Sequence, residues 1–253
     1  MKHLFLYIVF TLFSISSGLA QKSGGFKLPP TPFNFKVNLP ALFLRNISLQ
    51  GEFAVHKNLS VCLGGRMMLP YSLNQALGQG ANDIENLFIT GYAITPEIRF
   101  YPGKKQKHPA PHGFYFAPYF RYSNFNISAS LPLAPDPNIG FPGSKLDLAL
   151  TYSGWAGGIM MGSQWVIDHF TIDWWIMGLH FGQGTFAGST TSADFINYPG
   201  INQELKTQID NALSGLPFDI QSAVSVVNNT ANVRVTGLPF GGVRAGLCIG
   251  FAF

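Results

Sequence analysis

Charge is what this chain has least of. Lys, Arg, Asp and Glu make up 11% of its 253 residues, against about 25% in an ordinary soluble domain. A water-facing surface for a protein of this size cannot be covered with so little charge. Long hydrophobic runs are missing as well: no apolar stretch reaches the ~18 residues that a membrane-spanning helix requires. Basic patches interleaved with aromatics are absent, which removes nucleic acid from the expected partners. Metal and cofactor signatures are lacking too. His108 and His112 lie four apart, but Pro109 and Pro111 exclude the helix that would turn that spacing into a ligand pair. Cysteine is limited to Cys62 and Cys248, which are expected to be small inward fillers on separate strands rather than a disulfide.

Apolar and aromatic residues are abundant, at 47% hydrophobic with 23 Phe. Low charge and high apolar content without a spanning helix leave two architectures, a transmembrane barrel or an unusually apolar soluble β-protein. The last stretch, Phe240 to Phe253, shows the local pattern most clearly. Val243, Ala245, Leu247, Ile249, Phe251 and Phe253 share one parity, and Gly242, Arg244, Gly246, Cys248, Gly250 and Ala252 share the other. This is the period-2 pattern of a strand with one apolar face. Phe253, Phe251, Ile249 and Leu247 together resemble the C-terminal assembly signal of bacterial outer-membrane barrels, which implies the barrel-assembly machinery as a partner.

The N-terminus reads as a secretory leader. Lys2 and His3 precede an apolar core from Leu4 to Phe13, and small residues lead to an expected cut after Ala20. Residues 21–33 then form a flexible Pro- and Gly-rich lead-in, and 34–253 the barrel. Strands are expected at 34–43, 47–55, 59–69, 89–101, 114–127, 147–165 and 170–182, with an eighth after residue 238. Connections after the second, fourth and sixth strands are turns and those after the third, fifth and seventh are long. That asymmetry matches the short periplasmic turns and long outer loops of outer-membrane barrels and puts both termini in the periplasm. Pro96 and Pro118 interrupt two strands and predict local bulges. Trp155, Trp165, Trp174 and Trp175 predict an interfacial girdle.

The charges separate the two architectures. Lys36, Glu52, Arg66, Glu97, Arg99, Arg121 and Arg244 all fall on the parity opposite the apolar stripe, and Asp173 is placed inward with them. Arg or Lys facing lipid at mid-depth costs about 2–4 kcal/mol. A soluble barrel would need several outward charges per strand, and this polar stripe is mostly Gly, Ser and Tyr. Glu52, Arg66, Glu97, Arg99, Arg121, Asp173 and Arg244 are therefore expected to form a charge network inside an eight-stranded antiparallel transmembrane β-barrel. Eight strands enclose only enough space for side chains, so the network plugs the interior.

Thr95-Pro-Glu-Ile-Arg-Phe-Tyr101, His112-Gly-Phe-Tyr-Phe-Ala-Pro-Tyr-Phe-Arg-Tyr122, Gly162-Ser-Gln-Trp165 and Gly242-Val-Arg-Ala-Gly-Leu-Cys-Ile-Gly250 together resemble a family of small outer-membrane β-barrels of Bacteroidetes, catalogued as a domain of unknown function. The resemblance covers about 34–253. It implies an outer-membrane barrel in contact with outer-membrane lipids and supplies no activity.

In the long connection 183–238, Leu205, Ile209 and Leu213 recur at helical spacing and predict a short amphipathic helix over 201–214. Its apolar face either folds over the barrel mouth or docks a surface protein. The expected function is structural or interaction-type, without enzymatic activity or a cofactor. The alternative is an enzyme that acylates or deacylates outer-membrane lipids at the outer rim, drawing on Ser123, Asp136 and His180.

Overall fold

The alternation of large apolar with small or polar residues folds as strands in a computed structural model that describes residues 31–72, 85–102, 110–133, 144–191, 207, 220–227 and 230–253. In chain order the elements are β1 (Phe33–Asn38), α1 (Leu39–Phe43), β2 (Asn46–His56), β3 (Leu59–Ser72), β4 (Glu85–Phe100), β5 (Gly113–Leu133), β6 (Ser144–Ile167), β7 (Phe170–Thr191), β8 (Gln221–Val227) and β9 (Thr230–Ala252). Strands β1 to β7 and β9 form a closed antiparallel ring. Closure is made by Asn34–Asn38 of β1 against Cys248–Ala252 of β9. The turns at Lys57–Asn58 and Asp168–His169 share one rim with the chain end: His169 O accepts from Ala252 N and Phe253 O from Phe33 N. This end is the turn-side rim.

Burial is inverted relative to a soluble protein. Lys36, Arg99 and Asp173 are 0% exposed, while Ile159 is 65%, Phe181 66% and Val243 70% exposed. Outward apolar residues occur on every strand of the ring, among them Phe35, Leu49, Leu63, Ile94, Phe116, Ile159, Leu179 and Leu247. A continuous apolar outside around a charged inside is stable only in lipid. The fold is a transmembrane β-barrel.

The belt has a visible upper edge. Trp165 and Trp155 both face outward on β6, ten residues apart, which matches the 9–11 residues a tilted strand needs to cross a bilayer. Beyond Trp155 and its cross-strand partner Gln183, the outward residues turn polar, with Ser153, Thr151 and Thr185. Four strands continue furthest past this edge: β5 has 21 residues, β6 24, β7 22 and β9 23. With β8 paired to β9, they raise a sheet wall on one side of the barrel. The opposite side is low, because β1 has only 6 residues and β2 11.

Several expectations are corrected. The first strand stops at Asn38, not 43. Pro40 cannot donate to a ladder, and Asn38 caps a helical turn instead, its side chain accepting from Ala41 N at 3.0 Å. Strand seven runs to Thr191, and the stretch taken as one connection over 183–238 contributes the end of β7, all of β8 and the first part of β9; its alternation of small polar residues is too weak to read as strand. Pro96 and Pro118 cause no bulge. Ile94↔Tyr122, Glu97↔Tyr119 and Phe100↔Phe116 keep one register across them, so the ladder loses rungs there without shifting. The register shifts fall elsewhere, as at Met161/Gly162 and between Trp175 and Gly178. The second of these switches the inward parity from Asp173 and Trp175, which is 4% exposed, to Gly178 and His180. Of the expected helix 201–214, only Thr207 is described, and it is helical; Leu205, Ile209 and Leu213 lie outside the described residues.

Candidate functional site

The interior has two storeys. The lower one, toward the turn-side rim, is built by inward positions of all eight strands of the ring. Asp173 on β7 accepts from Lys36 Nζ at 2.7 Å, Arg99 Nη1 at 2.7 Å, Tyr115 OH at 2.8 Å and Trp175 Nε1 at 3.1 Å. Glu52 on β2 accepts from Lys36 Nζ at 2.6 Å, Tyr101 OH at 2.7 Å and Ser60 Oγ at 2.5 Å. The third bond of the Lys36 ammonium goes to Gln164 Oε1 at 2.7 Å. Arg99 also donates to Gln50 Oε1 at 3.0 Å and to Glu97 Oε2 at 3.2 Å. Glu97 is shared with Arg244, which donates to its other oxygen.

Aromatic rings enclose these charges. The Arg99 guanidinium lies 4.3 Å over Tyr115 and that of Arg244 lies 4.0 Å over Trp175, geometry in which cation–π attraction adds to the ion pairs. Room for the rings comes from small residues on facing strands. A Cβ at Gly162 would overlap the Tyr115 phenol, so the tyrosine reaches Asp173 only because β6 carries glycine there. Cys62 and Cys248 are buried free thiols in the same wall, on strands that are not neighbours. Below, Gln164 Nε2 donates to Pro111 O at 2.9 Å and Ala110 is 0% exposed. Ala110 and Pro111, just before β5, are thus tucked against the interior from the turn side.

The upper storey is different. Arg66 on β3 donates through Nε to Asn46 Oδ1 at 2.9 Å, and Arg121 on β5 donates to Ser123 Oγ at 3.3 Å. Among the described residues neither guanidinium pairs with a carboxylate. Both feel the charge of Arg244, and Arg121 also that of Arg66. His180 faces inward here, its Nδ1 3.1 Å from Tyr119 OH and its ring 5.7 Å from that of Phe240. Arg66, Arg121 and His180 are partly exposed, unlike the sealed group below.

No family model matches this chain, and no curated protein matches it. Among solved structures it is similar to the outer membrane protease OmpT from Escherichia coli, with a TM-score of 0.35, 7% identity, and 88% of this chain and 94% of that one covered. That comparison corrects the expectation that the chain is not an enzyme, since the similar barrel is a protease. At that score and identity it carries no catalytic residue across.

Of the residues singled out from the sequence, Glu52, Glu97, Arg99, Asp173 and Arg244 meet in one bonded cluster. Arg66 and Arg121 stand apart from it in the upper storey. Phe253, Phe251 and Leu247 face outward, on the strand that closes the ring. Ser123 is buried beside Arg121, and His180 bonds to Tyr119 rather than to Ser123; Asp136 lies outside the described residues. Sequence reasoning left Lys36 out of the network although it is the most central cation. It also left out Gln50, Gln164, Tyr101, Tyr115 and Trp175. Lys36 was legible from its parity; the neutral partners are identified only by which strands face each other across the barrel.

Proposed function

We propose that this chain is an outer-membrane barrel whose interior is sealed by its charge network and whose tall outer wall presents a binding surface. The observation that carries this reading is the lower storey. Lys36, Arg99 and Arg244 meet Glu52, Glu97 and Asp173, and Tyr101, Tyr115, Met160 and Trp175 fill the space between them. Charges held this way have no spare valence for a permeating ion, and the side chains occupy the space an eight-stranded ring encloses. In this reading residues 1–20 are a leader, both termini lie in the periplasm and the terminal strand engages the barrel-assembly machinery. The wall of β5, β6, β7, β8 and β9 stands above the outer leaflet, and the segment 183–238 is the one offered to a partner protein.

The plug is tested by planar-bilayer recording of the purified barrel. The expected result is no steady conductance; sustained ohmic current from a correctly folded sample would sink the plug. The binding surface is tested by cross-linking in native membranes, where a stoichiometric partner should map to 183–238. Cross-links confined to the periplasmic rim would reverse that assignment.

A further inference from the structure

We propose that the upper storey is a phosphate-binding site formed by Arg66, Arg121 and Arg244, with His180 and Tyr119 beside it. The first support is charge balance. Among the described residues, five inward cations, Lys36, Arg66, Arg99, Arg121 and Arg244, face three inward carboxylates, Glu52, Glu97 and Asp173. All three carboxylates are engaged in the lower cluster. Two positive charges are left over, and both lie in the upper storey. Guanidiniums brought within each other's field inside a low-dielectric wall repel unless an anion sits among them. A dianionic oxyanion supplies the missing charge, and phosphate offers the acceptor geometry that guanidinium forks match. Neutral partners occupy only the Nε of Arg66 and of Arg121 among the described residues, leaving their terminal nitrogens to donate.

The second support is depth. Arg121 pairs with Ala156, and Ala156 with Gly182. Their outward neighbours Phe120, Trp155 and Phe181 are the last members of the apolar belt before Ser153, Gln183 and Thr185. The site therefore sits level with the edge of the apolar belt, where lipid headgroups lie.

The third support is access. Among the described residues, 237–247 of β9 are paired on the β7 side alone: β8 covers Thr230–Thr236 and β1 covers Cys248–Ala252. On the other side the wall is occupied by α1, with its apolar and largely exposed Phe43 at 88%. Arg244 projects inward from this half-paired stretch, within 3.9 Å of the Cβ position of Gly64 on β3. A phosphate carried by a lipid entering at the seam, and a free phosphate entering from the loop-side mouth, would meet the same guanidiniums. This inference does not depend on the plug or on a protein partner, and bilayer conductance does not bear on it.

The experiment is a thermal-unfolding titration of the full-length barrel in phosphate-free zwitterionic detergent. One arm adds inorganic phosphate, with chloride at matched ionic strength as control. The other compares micelles doped with phosphatidic acid against micelles doped with diacylglycerol of the same acyl chains. A saturable rise in Tm with inorganic phosphate supports the site with a soluble ligand. A rise with phosphatidic acid alone supports it with a headgroup reached through the seam. In either case Arg66→Gln/Arg121→Gln should fold, because it removes repulsion, and should weaken the response about tenfold or more. No response in either arm, or an undiminished response in the folded double variant, overturns the proposal.

Discussion

The lower and upper storeys are made from the same residue types on the same strands, yet they resolve charge in opposite ways. Below, each carboxylate is shared between two cations and every proton of Lys36 has an acceptor within 2.7 Å. Above, Arg66 and Arg121 rest on an amide and a hydroxyl. Glu97 and Arg244 form the boundary, since Glu97 bonds down to Arg99 and up to Arg244. The lower storey pairs its charges with one another. The upper storey keeps its positive charge available, and it is the part that water reaches.

The largest effect is expected from Asp173→Ala. It strips four donors of one acceptor group and leaves Lys36 and Arg99 short of a counter-charge, and breaking such a pair costs about 3–5 kcal/mol. The urea midpoint of the folded, heat-modifiable species should fall accordingly, and a midpoint equal to that of the parent would mean the lower cluster is not a unit. Next is Glu97→Gln at the boundary. It keeps shape but halves the bonding to Arg99 and Arg244, and roughly 2 kcal/mol of lost stability is expected from charge-assisted bonds weakened to neutral ones. A double-mutant cycle with Arg244→Gln should recover part of that loss.

Ser123→Asp would convert the upper storey to the logic of the lower by giving Arg121 a carboxylate. Stability should rise, because the new carboxylate is buried against Arg121 and paired there, and the Tm response to phosphate should fade; a loss of stability would show that the upper arginines are not short of negative charge. The smallest effect is Arg66→Gln. Its side chain is partly exposed and has no carboxylate to abandon among the described residues, so the midpoint should move by no more than about 0.5 kcal/mol. A loss as large as that of Asp173→Ala would erase the distinction between the storeys.

What was legible in the sequence follows from the range of each signal. Inside and outside alternate residue by residue, so Glu52, Arg99 and Asp173 could be assigned to the interior from their neighbours alone. The end of β1 was missed although its cause was local, an Asn38 cap followed by Pro40, because the apolar alternation runs on through Ala41 and Phe43. Trp175 was misplaced because its residue type suggested the interfacial girdle, although it shares the inward parity of Asp173; the bulge that follows it then moves the inward parity to Gly178 and His180. The rising wall was missed because Thr185, Ala187, Ser189 and Thr191 carry no hydrophobic stripe; beyond the bilayer a strand needs none.

The amino-acid sequence by itself determined the class of the molecule: too little charge for water, no helix for the bilayer, and a period-2 pattern that puts Lys36, Glu52, Arg66, Glu97, Arg99, Arg121 and Arg244 opposite the apolar face. Those properties depend only on composition and on residues two apart. Tertiary structure alone decided which charges are neutralised. Lys36 and Asp173 are 137 residues apart, and they meet only because β1 and β7 flank β9 at the closing seam. Whether a guanidinium finds a carboxylate or is left for an external anion depends on register and closure around the whole ring, which no local stretch of sequence encodes.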